Sequence, residues 1–442
     1  MLGRAVDSPL VRGGLTIGAG IIAGNVIGFF RVALTAYLLG THSLADSLAV
    51  ALGPLDTFNS VIINSMVFAF VPLLAKQEGA ARTALFLALH RRFSILFAIA
   101  TASILAFAPW LIRVLAPGLD PAYFPAAVTN LRIISLSTLA AGMVSVHSAL
   151  LYTDRRFAPT AFYQASLNLG TVAGALALAP VMGVHGFALG YTLGAWVQSG
   201  VVWWAARSRL ELRGVPASTV GWRDLLAKPL SIAIFTGGLA ANITFTRAWG
   251  THYGPGAAAA LDYCMRGVGV PLALLVSPMS NALLPEIARL RSQFRLPEAF
   301  RLIDRTIALA ALAAVGGCGA ALALREPAIR LLFERGSFTP ESTRMVAAVF
   351  LGLGPSMIGW SLMELTSRSL FSLGRARLPM MVAFLPLAVN VAVTLWLGAP
   401  GPQFIGLGAS LGLLAGFVVL FGLARAGRRK WLARMDGGAG VG

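Results

Sequence analysis

Apolar and charged positions segregate along this chain into long blocks. Residues free of Asp, Glu, Lys and Arg run through 13–30, 57–75, 93–112, 133–153, 157–206, 229–246, 267–285, 306–324, 345–363 and 378–424. A helical membrane crossing needs about 20 mostly apolar residues. Eight intervals hold one crossing each. The two long ones hold two each, because turn-forming residues interrupt them near their middles: Pro180 and Gly183 in the first, and the Gly-Ala-Pro-Gly-Pro run at 398–402 in the second. The pattern predicts twelve transmembrane helices. Barrel strands would alternate with polar residues at every second position, whereas unbroken apolar runs in lipid require the internally satisfied backbone of a helix. The run 13–30 is longer than the 7–15-residue core of a cleavable signal, so it reads as the first span.

Composition agrees. The chain is 57% hydrophobic and 12% charged, with a mean hydropathy of +0.77. Soluble domains carry about 25% charged residues, so a soluble enzyme, a disordered chain and a disulfide scaffold are all excluded. The net charge of +18 would suggest nucleic acid on a soluble protein. The placement of the positives argues otherwise. The N-terminus and every second loop carry 26 of the 35 Lys and Arg residues, while the opposite loops near 40–45, 181–184 and 398–403 carry none. The exception, 325–344, offsets Arg325, Arg330, Arg335 and Arg344 with Glu326, Glu334 and Glu341. The positive-inside rule then predicts a multi-pass protein with both termini cytoplasmic, no nucleic-acid partner, and a basic inner face that attracts membrane lipids. Cys264 and Cys318 both fall in apolar spans and the five histidines are scattered, so no metal site is expected.

The two halves echo each other. Phe70-Val71-Pro72-Leu73-Leu74-Ala75-Lys76 resembles Leu283-Leu284-Pro285-Glu286-Ile287-Ala288-Arg289. Leu111-Ile112-Arg113 resembles Ala328-Ile329-Arg330, and Arg156-Phe157-Ala158-Pro159 resembles Ala376-Arg377-Leu378-Pro379. The order is kept at a nearly constant offset. This predicts two six-helix bundles, 1–207 and 222–424, joined by a basic linker 208–221 and followed by a basic tail 425–442. Six is even, so the halves run in the same direction, the parallel-repeat plan of alternating-access transporters.

Charges within spans are expensive and are site candidates. They are Arg31, Asp46 and Asp56 in the first two spans, Asp262 and Arg266 at i, i+4 in the eighth, Arg247 at the end of the seventh, and Glu364 with Arg368 in the tenth. Structural alternatives exist for most of them: Arg247 and Arg368 snorkel to the interface, Asp262 pairs with Arg266, and Arg31 pairs with Asp46. Gly18, Gly20 and Gly24 have the spacing of a close helix contact. Pro271, Pro278 and Pro285 recur every seven residues and predict a bent eighth span.

With these residues in view, the chain resembles the MurJ (MviN) lipid II flippase family of the multidrug/oligosaccharidyl-lipid/polysaccharide exporter superfamily. The matching runs are Gly28-Phe29-Phe30-Arg31, Leu44-Ala45-Asp46-Ser47, Ala69-Phe70-Val71-Pro72-Leu73-Leu74-Ala75, Ala108-Pro109-Trp110, Ala116-Pro117-Gly118, Arg156-Phe157-Ala158-Pro159 with Leu167-Asn168, Leu283-Leu284-Pro285, and Leu332-Phe333-Glu334-Arg335-Gly336-Ser337-Phe338-Thr339. They occur in order over nearly the whole chain.

The resemblance implies two bundles in a V around a cationic central cavity. It also implies outward movement of an undecaprenyl-pyrophosphate-linked peptidoglycan precursor across the bacterial inner membrane, by a monomer, without covalent chemistry. Substrate would meet Arg31, Asp46 and Arg266, with Asn25, Asn59 and Asp262 beside them. The sequence departs from the family at Asn25 (usually Arg), at Asn59 and Ser60 (usually a basic pair), at Asn64 (usually acidic) and at Met265 (usually Asp). A further pair of C-terminal spans found in many members would be absent. Asn390 and Thr394 resemble positions near a sodium site in some members, and Asn242 is a further polar candidate, so Na⁺, H⁺ or the membrane potential is the expected driving force and no organic cofactor is needed. Three alternatives stand beside this reading: a flippase for another undecaprenyl-linked glycan, a cation-coupled multidrug exporter, and a membrane scaffold that recruits cell-wall synthesis proteins.

Overall fold

A computed structural model describes residues 9–211, 215, 221–271, 277–398 and 401–438. Sixteen helices carry the labels used below: α1 (Pro9–Leu39), α2 (Ser43–Leu74), α3 (Gly79–Leu115), α4 (Phe124–Thr153), α5 (Tyr163–Ala177), α6 (His185–Arg207), α7 (Trp222–Gly250), α8 (Ala257–Pro271), α9 (Ser277–Ser292), α10 (Leu296–Ala323), α11 (Arg325–Phe333), α12 (Pro340–Leu353), α13 (Ser356–Ser372), α14 (Arg377–Val382), α15 (Leu385–Leu397) and α16 (Leu407–Gly438). No strand occurs among the described residues.

Among the described residues every charge-free interval is mainly helical, and several helices overrun their intervals. The second span begins at Ser43 rather than 57, so Asp46 and Asp56 lie inside α2. The third begins at Gly79, within the basic loop. Charge stops marking a helix end where the helix leaves the hydrocarbon and continues into the polar interface. Both interruptions predicted in the long intervals are present: Gly183 (φ 57°) ends the turn after α5, and Gly398 (φ 69°) ends α15. A side chain at either position would be strained in this left-handed region.

Seven of the described helical segments are individually long and apolar enough to cross a membrane. An eighth crossing is a bent pair, α12 and α13, which meet at 43°. The interval 267–285, expected as one bent span, is divided between the end of α8 and the first half of α9. Pro271 closes α8 and Pro278 opens α9, while 272–276 lie outside the described residues.

The chain divides into two compact units. Unit 1 comprises 1–233, 254–259 and 335–339; unit 2 comprises 234–253, 260–334 and 340–442. In unit 1, α4 is the central helix: 78% of its apolar window is buried, against 22% for α3. One apolar cluster packs Leu48, Leu52 and Leu55 of α2 against Leu131 and Ile134 of α4 and Phe187 of α6. A second packs Phe70 and Leu74 against Phe86, Phe93 and Phe97 of α3 and Leu150 of α4. The outer faces of α3 (Ile95, Ile99, Phe107) and α10 (Leu312, Val315) stay exposed, as expected of helix faces solvated by lipid.

In lipid the hydrophobic effect does not press helices together, so close backbone approach and interhelical hydrogen bonds must. Gly170 and Gly174 of α5 face Gly186, Gly190 and Gly194 of α6, where any added Cβ would overlap the opposing backbone. Gly20 lies against Ala161 and Gly24 against Gln164, as their spacing predicted, while Gly18 faces open space. Cross-links include Asn168 Nδ2 donating to Gly24 O (3.0 Å), Gln198 Nε2 to Pro159 O (2.7 Å) and Thr192 Oγ1 to Ile133 O (2.9 Å). Unit 2 packs Ile287, Phe300, Ile303 and Ile307 with Leu362 and Leu365, and Phe235 with Met363, Leu413 and Leu420.

Candidate functional site

In unit 1, Arg31 of α1 is 9% exposed, and its Nη1 has no hydrogen-bond partner among the described residues. The local sequence places it there: Gly28 and Val32 are buried on the same helix, and Thr35 Oγ1 bonds back to the Arg31 carbonyl (2.8 Å), so α1 continues unbroken past it. Close by, the fully buried Tyr191 of α6 donates its hydroxyl to Asp56 Oδ1 of α2 at 2.8 Å. Arg31, Asp56 and Tyr163 of α5 all lie within electrostatic reach of Tyr191. The Tyr163 hydroxyl is buried and has no hydrogen-bond partner among the described residues. Four helices of one unit thus bring a cation, a carboxylate and two phenols together. An unpaired guanidinium N–H in such a setting is costly unless something arrives to accept from it.

The other residues expected in unit 1 are placed differently. Asp46 does not pair with Arg31: its carboxylate accepts from the backbone N–H of Gly256 (2.6 Å) and Ala259 (2.8 Å). Short, charge-assisted bonds of this kind are what a carboxylate makes at a helix start, where backbone N–H groups lack intrahelical acceptors. Asn59 is buried on α2 and donates to Ser137 Oγ (3.0 Å) of α4. Asn25 is half-buried on α1.

In unit 2, Asp262 pairs not with Arg266 but with Arg247 of α7 (2.8 Å), so Arg247 is tied down rather than snorkelling. Helical spacing makes Arg266 a neighbour of Asp262, but the residue opposite on α7 supplies better geometry. Arg266 itself is half-buried, one turn further along α8. Glu364 and Arg368 do form the expected i, i+4 pair (2.6 Å), and Arg330 lies 3.6 and 3.5 Å from Glu326 and Glu334.

The three residues expected at an ion site do converge. Asn390 Nδ2 donates to Asn242 Oδ1 (2.8 Å) and Thr246 Oγ1 (2.9 Å), and Thr394 Oγ1 donates to Asn390 Oδ1 (3.1 Å). Asn242 and Asn390 are fully buried. Gly408 of α16 covers the group so closely that a Cβ there would fall 2.7 Å from Thr394 Oγ1. A sodium ion is a hard cation that takes oxygen lone pairs. Here the four side chains are neutral, and one amide NH₂ occupies the oxygens a cation would use. The residues do not fit sodium.

Two groups escaped the sequence. Asp56 was noted as a charge but given no partner, because Tyr163 and Tyr191 sit in an interval that looks merely apolar. The histidines are not all scattered either: His90 and His147 meet with tilted rings, centroids 5.0 Å apart, and Phe86 stacks on His90.

The bundles of long apolar helices, with ionisable groups turned inward, define a polytopic helical membrane transporter fold. Solved structures agree on that fold. A lipid II flippase MurJ in an inward closed conformation superposes with a TM-score of 0.82 at 17% identity, covering 93% of this chain and 87% of that one. An inward-facing multidrug resistance MATE family transporter of the MOP superfamily gives 0.77 at 12%, covering 92% and 96%. The family model "Lipid II flippase MurJ" matches residues 35–437, and the chain belongs to the MurJ family. Relatives include a probable lipid II flippase MurJ of Rhizobium meliloti (strain 1021), 30% identical over 88% of this chain and 75% of its own length. A lipid II flippase MurJ of Burkholderia cenocepacia is 26% identical over 96% of this chain and 90% of its own.

Proposed function

We propose that this protein is a lipid II flippase, carrying an undecaprenyl-pyrophosphate-linked peptidoglycan precursor from the inner to the outer leaflet of the bacterial inner membrane by alternating access. The observation that carries the reading is Arg31: a nine-tenths buried guanidinium with an unpartnered Nη1, inside a membrane helix of a MurJ-family chain. A diphosphate is a doubly anionic acceptor, and the planar guanidinium fork matches its oxygens. Arg266 is the second cation assigned to the head group. The prenyl tail stays in lipid. Moving the substrate makes and breaks no covalent bond, so the protein acts as a transporter rather than an enzyme.

The basic loops orient the chain with both termini in the cytoplasm. The membrane potential is the driving force most in keeping with the neutral Asn242–Asn390–Thr394 group, and the chain works as a monomer. Asn25, Asn59, Asn64 and Met265 replace charged residues usual in the family, which favours as second reading a flippase for another undecaprenyl-linked glycan.

The test is a binding and flipping assay on purified protein in proteoliposomes with lipid II, and a lipid-linked O-antigen precursor as competitor. Lipid II is expected to bind and cross, and Arg31→Ala and Arg266→Ala to weaken both. Preferential transport of the competitor overturns the reading in favour of the second. Full activity in the double arginine variant overturns the role given to the site.

A further inference from the structure

A carrier has to release what it binds. A guanidinium meeting a diphosphate in a low-dielectric setting forms a strong, charge-assisted bidentate contact. With nothing to compete, that contact would trap the substrate. Unit 1 contains a competitor. Asp56 of α2 is held by the Tyr191 hydroxyl at 2.8 Å, while Arg31 on α1 and Tyr163 on α5 complete its charged and titratable surroundings. Among the described residues, Arg31 Nη1 has no hydrogen-bond partner. The Tyr191 phenol holds the carboxylate directly and lies within electrostatic reach of the guanidinium as well, so it links the two groups.

We infer that Asp56 is a positioning residue for release: it is the internal anion that displaces the substrate's diphosphate from Arg31, and Tyr191 sets how far it reaches. The inference rests on the reading that Arg31 meets the diphosphate. When the head group is present, Tyr191 retains Asp56 and Arg31 is free to bind. When the head group is to leave, Asp56 offers Arg31 a replacement acceptor, so the guanidinium is not abandoned in an apolar interior. Tyr163, whose hydroxyl has no hydrogen-bond partner among the described residues, is the second donor that steadies the carboxylate as it shifts.

The two contacting residues then have effects of opposite sign. Asp56→Asn removes the competitor, so lipid II is held more tightly, by about tenfold for loss of one nearby unit charge, and crosses more slowly. Tyr191→Phe removes the restraint, so Asp56 turns to Arg31 and lipid II is held more weakly. Asp56→Glu, which keeps the charge, stays close to the parent protein.

The experiment measures the Kd for fluorescent lipid II and the single-turnover flipping rate on the full chain in nanodiscs and proteoliposomes, for the parent protein, Asp56→Asn, Asp56→Glu, Tyr191→Phe and Arg31→Ala. Tightening in Asp56→Asn with weakening in Tyr191→Phe supports the inference, because a merely structural pair would move both the same way. Equal affinities, or weakening in both, overturn it. If the parent protein does not bind lipid II, the proposed function itself fails; if Arg31→Ala binds it as tightly as the parent, the role given to Arg31 fails, and the release role with it. If they differ while Asp56→Asn does not tighten, only the release role fails.

Discussion

The carboxylate of Asp46 accepts a 2.8 Å hydrogen bond from the backbone N–H of Ala259, 213 residues further along the chain, and a 2.6 Å bond from Gly256. Asp46 is 4% exposed, so these bonds are made out of water. Asp46→Ala leaves two donors without acceptors, at about 1–3 kcal/mol each. The expected outcome is a marked fall in the Tm measured by intrinsic fluorescence in detergent. Asp46→Asn retains a carbonyl acceptor and should lie between. A parent-like Tm for Asp46→Ala would mean that the contact contributes nothing to stability.

Arg247 and Asp262 form a partly buried pair, with side chains 12% and 22% exposed. Removing one partner strands the other, whereas removing both replaces the pair with apolar contacts. Asp262→Leu alone is expected to cost about 2 kcal/mol. Arg247→Met combined with Asp262→Leu should recover much of the loss. Additive losses in the double-mutant cycle would argue against coupling.

On α6, Gly190 and Gly200 should respond in opposite directions. A Cβ at Gly190 overlaps the Gly170 carbonyl and lies 2.8 Å from Gly174 Cα, whereas nothing lies within 4 Å of one at Gly200. Gly190→Val is expected to destabilise by about 1–3 kcal/mol or more through overpacking. Gly200→Ala should raise stability by about 0.5–1 kcal/mol through helix entropy. Thermal unfolding of the two variants side by side checks both signs.

The Asn242–Asn390–Thr394 group is expected to act as a neutral tie between α7 and α15. Asn390→Leu leaves the Asn242 and Thr394 side chains without their shared partner and should lower the Tm, at roughly 1–3 kcal/mol. Replacing sodium by potassium in the flipping assay should leave the rate of the parent protein unchanged at fixed membrane potential. A rate that rises with sodium concentration would restore a cation to this position.

Much of the fold was legible because lipid imposes simple rules. Apolar runs, turn residues at 183 and 398, and the glycine spacing in α1 each follow from local chemistry that no distant residue can override, whereas the glycine contact between α5 and α6 emerged only from the packed structure. The site was legible only in outline. Arg31 is a charge where none is cheap, so it announced itself. Its surroundings did not, since Tyr163 and Tyr191 count as apolar in any sequence pattern until a carboxylate is found beside them. Asp262 was assigned to Arg266 because helical spacing reveals only neighbours on one helix, while its partner Arg247 lies on another.

The sequence by itself determined which residues leave water: the intervals without charge, the loops that carry the positives, and the few ionisable groups that remain inside. Those are one-dimensional facts, fixed by the cost of moving each side chain into hydrocarbon. Tertiary structure decided what each of those inner charges does. It occupied Asp46 with the backbone of Gly256 and Ala259, tied Asp262 to Arg247, gave Asp56 to Tyr191 and left Arg31 Nη1 without a partner. Partner choice depends on angstrom-scale geometry between helices far apart in the chain, and that geometry exists only once the helices have packed.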